Sequence, residues 1–403
     1  MNIWSISIRN ISSKPWYSAL GLITLTLSIT LLFGIQQLNY TVESKLNNDL
    51  GTIDLVLGAK GSPLQLVLSS ILHIDNPTGN ISYEAAEAVQ RNPLVKIAVP
   101  ISYGDNYKGF RIVGTTPDFP TLYNVEIVQG RGPKYTLEVV LGNDVAQKTG
   151  LDIGDTFESG HGLAANSLHH HERPMKVVGI YQPSGTVIDR LIVTGLDSVW
   201  ELHEHHDHED ENSKEAGEEH YNKEITSLLV SFKNLSGLLK FSNTINRNTG
   251  MQAAIPRYEL DRLFSFVGIG VKTISWIAFL ILLLSGLMIC LNLIQMVKDR
   301  SFDLALYRTY GASHLQLVMM LILEAFILVI LALILGYILS QTTIYCVLYY
   351  TSLLPVGLPA DFWFNSNIMN LIFIVLSVAI IAVSIAIYPV LKLNISKILS
   401  HEI

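Results

Sequence analysis

Four long apolar runs constrain this chain more than any other feature: Tyr17–Leu38, Phe266–Val297, His314–Val347 and Ile368–Leu391. Each reaches the roughly 20 residues that a helix needs to cross about 30 Å of hydrocarbon. In that medium every peptide group must be paired internally, so each run reads as a membrane-spanning helix. Leu64–Leu72 is too short to span. Length alone would suggest two or three soluble domains, but a chain with 49% hydrophobic and 15% charged residues reads as a membrane protein.

Positive charge sets the expected orientation, because Lys and Arg beside short loops are retained in the cytosol. Arg9 and Lys14 precede the first run, Lys298, Arg300 and Arg308 lie between the second and third, and Lys392 and Lys397 follow the fourth. The loop 348–367 carries neither Lys nor Arg. Both termini are therefore expected inside, as in a multi-pass protein of a bacterial inner membrane, with residues 39–262 outside. A secretory signal peptide is the competing reading of the N-terminus. The apolar stretch is longer than a typical signal core, and Phe33–Tyr40 offers no small-x-small cleavage site, which favours an uncleaved anchor. Ahead of it, Ile3, Trp4, Ile8 and Ile11 share a helical face opposite Asn2, Ser5, Arg9 and Ser12, so residues 1–16 read as an interfacial helix on the inner leaflet.

Between the first and second spans the composition becomes that of a soluble domain. Ile53–Leu57, Val95–Val99, Phe110–Val113, Glu138–Leu141, Met175–Tyr181, Arg190–Val193 and Ser227–Phe232 are strand-length β-rich runs bounded by turn residues. Tyr83–Arg91 and Leu235–Asn248 read as helices. The expected fold is a four-helix membrane protein with a large extracytoplasmic α+β domain built on more than one small sheet. Leu260–Gly268 runs into the second span with no breaker but glycine, so residues 263–297 are expected to form a rigid stalk and span in one helix. Cys290 and Cys346 both belong to apolar runs, which leaves the extracytoplasmic part without a thiol and excludes a disulfide scaffold and a CxxC metal site there.

Function classes narrow further. The net charge of −7 comes largely from the acidic, His-rich middle of the chain, and no nucleic-acid partner is implied. No G-x-x-x-x-G-K-[ST] motif occurs, and Gly58-Ala59-Lys60-Gly61-Ser62 is too short to be one, so ATP chemistry would belong to another polypeptide. Ser184 lies in Pro-Ser-Gly and not in a nucleophile elbow, and Asp189 beside Arg190 reads as a structural pair; the chain is not expected to be an enzyme. Nine of the twelve histidines lie between His161 and His220. His169, His170 and His171 are consecutive, and His203, His205, His206 and His208 are interleaved with Glu204, Asp207, Glu209 and Asp210, which suits Zn²⁺, Cu²⁺ or Ni²⁺. Zn²⁺ is thus a candidate ligand of the insert 161–220, although the spacing is that of a flexible tract, and a solvated acidic loop is the plainer reading. Glu324 is the only acidic residue well inside an apolar run, and a structural hydrogen bond near the start of the third span is favoured over an ion relay.

The C-terminal third resembles the permease domain of MacB/FtsX-like ABC transporters. The likeness is carried by Lys298-Asp299-Arg300-Ser301-Phe302-Asp303-Leu304-Ala305-Leu306-Tyr307-Arg308-Thr309-Tyr310-Gly311-Ala312-Ser313 and by Leu321-Ile322-Leu323-Glu324-Ala325. Val139-Val140-Leu141-Gly142 and Val177-Val178-Gly179-Ile180, with Gly154-Asp155, Gly185-Thr186 and Asp189, resemble the MacB-type periplasmic core. The resemblance implies a permease subunit working with a separate cytoplasmic ABC ATPase and a second permease copy or paralogue, within membrane lipid, with a periplasmic binding or adaptor protein as a further candidate partner. It makes residues 298–313 a coupling helix that inserts into the ATPase, through Ser301, Asp303, Leu304, Leu306, Tyr307, Arg308, Gly311, Ala312 and Ser313; an ordinary surface helix is the alternative. The expected function is mechanical transmission of ATP hydrolysis across the membrane, in metal-related transport. Its rivals are a lipoprotein, peptide or drug exporter with an incidental His tract and a signalling permease that controls a periplasmic partner.

Overall fold

The computed structural model describes residues 15–160, 173–204, 223–299, 306, 309–350 and 366–391. They divide into two compact units, one formed by residues 1–42 with 267–403 and the other by Glu43–Phe266.

The first unit is helical. It is built from α1 (Pro15–Asp49), α7 (Pro256–Asp299), α8 (His314–Tyr350) and α9 (Ser366–Leu391), although the last turns of α1 and the first of α7 belong to the other unit. All four are long and apolar enough to cross a membrane. Each contains an expected apolar run, but α1 and α7 continue well past theirs. Leu25, Ile29, Phe33, Leu282, Leu293, Val329, Ala332, Val375 and Ala382 form its core. Hydrocarbon offers these helices no hydrophobic drive to associate, so they pack through small residues and interhelical hydrogen bonds. A Cβ at Gly336 would sit 2.6 Å from Cγ2 of Ile29, which shows how closely α8 approaches α1. The hydroxyls of Ser28 and Ser285 meet at 2.9 Å and join α1 to α7, and the Thr30 hydroxyl donates to the Gly336 carbonyl at 3.3 Å.

The second unit is an α/β domain on a mixed sheet. Its strands are β1 (Leu55–Ala59), β3 (Val95–Tyr107), β4 (Phe110–Thr115), β5 (Ile127–Gly130), β6 (Glu138–Leu141), β7 (Thr156–Phe157), β8 (Met175–Tyr181), β9 (Leu191–Gly195), β11 (Ser227–Phe232) and β12 (Met251–Ala254). They run in the order β12-β1-β11-β3-β4-β9-β6-β8-β5, with β7 on β8. The β4–β9 and β6–β8 pairs are parallel. The expectation of more than one small sheet is thus corrected to one ten-stranded sheet, beside which, among the described residues, only β2 (Ile81–Ser82) and β10 (Glu224–Ile225) pair separately. The sequence bounded β6, β8 and β11 to the residue but stopped β3 at Val99, short of its end at Tyr107, because polar residues follow from Ser102; β5 and β12, at the two edges, lack the apolar alternation that marks a half-buried strand.

Both faces of the sheet are buried, and alternate residues separate them. Val56, Val99, Ile101, Val113, Val140, Val193 and Leu229 face one core. Leu55, Leu57, Leu228 and Val230 face a second core, and Ile112, Val139, Leu141, Val177 and Ile192 a third. On the first face lie α2 (Pro63–Ser70), which accounts for the short apolar run Leu64–Leu72, and the turn Phe119–Tyr123. The other side is covered by α3 (Tyr83–Gln90), α4 (Asn143–Thr149), α5 (Leu196–Glu204) and α6 (Leu238–Asn248). The edge strand β12 does not present a bare backbone: Asn246 of α6 accepts from the Ala253 N–H at 2.6 Å and donates to the Ala253 carbonyl at 3.1 Å.

One buried polar group deepens the first face. His73, at φ 55°, is enclosed with Tyr103 and Arg111. Tyr103 donates its only proton to the Ser69 carbonyl, so its oxygen accepts from Nδ1–H of His73 at 2.9 Å. Burial first, and then the charges of Arg111 and Arg190, lower the His73 pKa to about 3. Above pH 6.5 neither the folded nor the unfolded chain protonates this ring. Below that value the unfolded chain takes up a proton that the folded one refuses, so stability falls as the pH falls towards 3. A His73→Asn variant keeps a side chain tolerant of positive φ and loses the titration. Denaturation of the full chain at pH 6 and pH 4 should show wild type losing about 1.4 kcal/mol per pH unit more than the variant; parallel pH profiles would refute the assignment.

Candidate functional site

The expected coupling segment precedes α8. Ser301, Asp303, Leu304, Tyr307 and Arg308 lie outside the described residues; Leu306, Gly311, Ala312 and Ser313 lie within them. The Tyr310 amide bonds back to the Leu306 carbonyl at 3.1 Å, closing a helical turn. Gly311 then adopts φ 97°, a conformation in which a side chain is strained, and so reverses the chain. Ser313 opens α8 with a reciprocal cap: its N–H donates to Oε1 of Gln316 at 2.8 Å, and the Gln316 N–H donates to Oγ of Ser313 at 3.2 Å. The Gly-Ala-Ser motif is therefore a helix stop followed by a helix start, and it presents Tyr310 at 82% exposure.

Glu324 is fully buried in α8, next to the packed Ala325. His203 lies in α5, whereas His169, His170, His171, His205, His206 and His208 lie outside the described residues. Among the described residues no group of three or more His, Cys, Asp or Glu is placed to hold a metal ion.

A second candidate site, a joint, lies within the α/β unit, where the last turns of α1 and the first turns of α7 pack on the sheet; sequence reasoning expected the Leu260–Gly268 helix to run on into the second span but missed the α1 part and the residues around both. Leu46 and Leu50 at the end of α1, with Leu260, Leu263 and Phe264 of α7, pack into the first-face core beneath Val56, Val99 and Leu229. Only Ile255 separates β12 from α7, whose first residue is Pro256, a position that suits proline, and Glu259 in its first turn complements the positive end of the helix dipole. At the end of α1, Gly51 turns with φ 52° so close to the Leu122 carbonyl that a Cβ would lie 2.5 Å from it, and the Thr52 amide donates to the same carbonyl at 2.9 Å.

Charge reinforces this end of α1. Asp49 is 2% exposed and stands at the helix C-terminus, where the dipole disfavours an anion. Two cations offset part of that cost, Lys45 Nζ at 3.3 Å and an Arg190 Nη at 3.5 Å, while burial still holds the Asp49 carboxyl above its ordinary range. Lys45 also donates to the Gly185 carbonyl at 2.6 Å. The expected Asp189–Arg190 pair is corrected accordingly. Asp189 turns inward to accept from the Ser184 amide at 3.0 Å, the Ser184 hydroxyl at 2.8 Å and the Gly185 amide at 2.7 Å, which shapes the turn, while Arg190 reaches Asp49. Neighbours in sequence had suggested a pair that the 3-10 turn Val187–Arg190 points apart. Lys45 and Asp49 were legible as a pair four residues apart; Arg190, distant in sequence, was not.

Comparison with known proteins follows the same division. Residues 18–234 match the model of the MacB-like periplasmic core domain, and residues 275–397 match the FtsX-like permease C-terminal region. Among solved structures, the periplasmic region of MacB from Actinobacillus actinomycetemcomitans aligns at 11% identity and TM-score 0.34, covering 53% of this chain and 94% of that one. The extracellular domain of the ABC-type transporter YknZ from Gram-positive bacteria aligns at 11% identity and TM-score 0.31, covering 49% of this chain and 98% of that one. No curated protein sequence matches. At these scores the assignment rests on the two sequence-family matches, of which the first alone takes in more than half of the residues. With its four span-length helices, the chain belongs to the MacB/FtsX-like family of ABC-transporter-type permeases, multi-pass proteins of the inner membrane.

Proposed function

We propose that this permease transmits mechanical work from a separate cytoplasmic ATPase to its MacB-like domain, with α7 as the principal rod. The observation that carries this reading is the joint. A helix of 44 residues, about 66 Å long at 1.5 Å per residue, starts one residue after a strand of the sheet and continues to Asp299, beside the candidate coupling segment. An element meant only to anchor a domain needs no such continuity; one that moves it does. In this reading both termini and the Gly311 turn face the cytosol, and closure of the ATPase pushes on residues 298–313. A second permease copy or paralogue completes the complex, and a periplasmic binding or adaptor protein receives the movement.

A break in the rod tests this directly. Ile274→Pro removes one backbone hydrogen bond and kinks α7 at a cost of about 3 kcal/mol. In the assembled complex, ATP should alter hydrogen exchange across the Glu43–Phe266 unit of wild type but not of the variant, while the bound ATPase still turns over. ATP-dependent changes that survive the proline would rule out transmission through α7.

The coupling surface has its own test. Tyr310→Ala removes an exposed aromatic side chain without touching a packed core, so the chain should keep its thermal stability and lose at least about 10-fold in affinity for the ATPase. Unchanged affinity would remove this turn from the interface.

Metal-related transport is a second reading, favoured by the density of His beside Asp and Glu in the insert 161–220. Zn²⁺ is the metal proposed there. Calorimetric titration of the full chain with micromolar Zn²⁺ should give a heat that disappears when His169, His170, His171, His203, His205, His206 and His208 are all replaced by Ala; no heat from wild type would end this reading.

A further inference from the structure

The charged cluster at the end of α1 is too costly to be explained as a fastening alone. An apolar side chain in place of Asp49 would extend the core formed by Leu46 and Leu50 without burying a carboxylate, and replacing buried ion pairs by apolar groups is often neutral or stabilising. The arrangement here is ionic and incompletely made. At 3.5 Å the Arg190–Asp49 contact is longer than the roughly 2.8 Å of a well-formed charged hydrogen bond. Nε of Arg190 has no hydrogen-bond acceptor among the described residues. Both cations keep access to water, Lys45 at 21% and Arg190 at 30% exposure, so either can be hydrated the moment it is released.

We propose that Lys45, Asp49 and Arg190 form a breakable latch, closed in this structure, that holds the last turn of α1 against the Ser184–Arg190 turn and opens when α1 is displaced. Asp189 keeps that turn rigid on its own, through the Ser184 and Gly185 amides, so it survives opening. Asp144 at the start of α4, which packs on Val187–Arg190, lies within electrostatic reach of both cations and gives them a second carboxylate to face. Burial and then the charge of Asp189 push the Asp144 carboxyl up, while Lys148, Lys45 and Arg190 pull it back. Of the three carboxylates, only Asp49 travels with α1. A latch of this kind lets α1 hold its place at rest and yield under load, which apolar packing alone does less sharply.

The role of the latch in force transfer rests on the mechanical reading above, but its existence is tested independently by hydrogen exchange on the full chain in detergent. Asp49→Asn and Arg190→Gln should each speed exchange of the amides of residues 46–50 by about 10-fold or more, with β3 and β11 unchanged. The double variant should exchange no faster than Asp49→Asn alone, because that change already removes the Arg190 contact together with the Lys45 one. Unchanged protection in the single variants, or effects that multiply in the double, would overturn the proposal. Should either variant also loosen β3 and β11, Lys45→Gln decides: it removes the least enclosing contact and should still accelerate residues 46–50 several-fold, and no acceleration would equally refute the latch. A latch that passes while Ile274→Pro leaves ATP-driven changes intact would refute transmission through α7 and leave the latch standing.

Discussion

Everything in this molecule is subordinate to the cost of an unpaired peptide group in hydrocarbon. That cost forces the four apolar runs into helices and leaves small residues and hydroxyls to bring them together: Gly336 against Ile29, Ser28 against Ser285. It also makes possible the long helices on which the rest depends. A helix already stabilised across a bilayer needs only a few further contacts to continue past it, and Leu46, Leu50, Leu260, Leu263 and Phe264 supply them by entering the core of the sheet. The two-sided sheet receives these helix ends on its first face, beside α2 and the Phe119–Tyr123 turn.

What the sequence made legible tracks this hierarchy. Spans could be read because hydropathy over 20 residues is a sum that no local context overturns. Strands such as Glu138–Leu141, Met175–Tyr181 and Ser227–Phe232 could be read because burial on both faces makes them rich in β-branched and other apolar residues over most of their length. Their assembly into a single sheet could not, since the parallel β4–β9 pairing joins residues some eighty positions apart and nothing local announces it. The short helices α2, α4 and α5 were hidden for a different reason. Each is two or three turns long and stable only against the sheet, so it shows little periodicity of its own.

The sites divide in the same way. The Gly311 turn was visible through the family likeness of its adjacent residues, whereas the Ser313 cap was not singled out. Of the joint only the continuous helix from Leu260 was legible, because the other members come from residues 45–52, 122 and 185–190 and share no pattern. His73 was passed over as a lone histidine in an unremarked loop, yet its ring organises Tyr103 and, through that hydroxyl, the Ser69 carbonyl at the end of α2. In each case a chemically informative residue is defined by what the fold brings to it.

Asn246 carries a consequence for how such molecules can meet. By offering its carboxamide to both backbone groups of Ala253, it imitates a neighbouring strand where none exists. At Ala253 the β12 margin thereby offers no free backbone pair to a foreign strand, the usual route by which an open sheet polymerises. Copies of a membrane protein share one plane, and at this position one amide side chain withholds the groups through which they would pair.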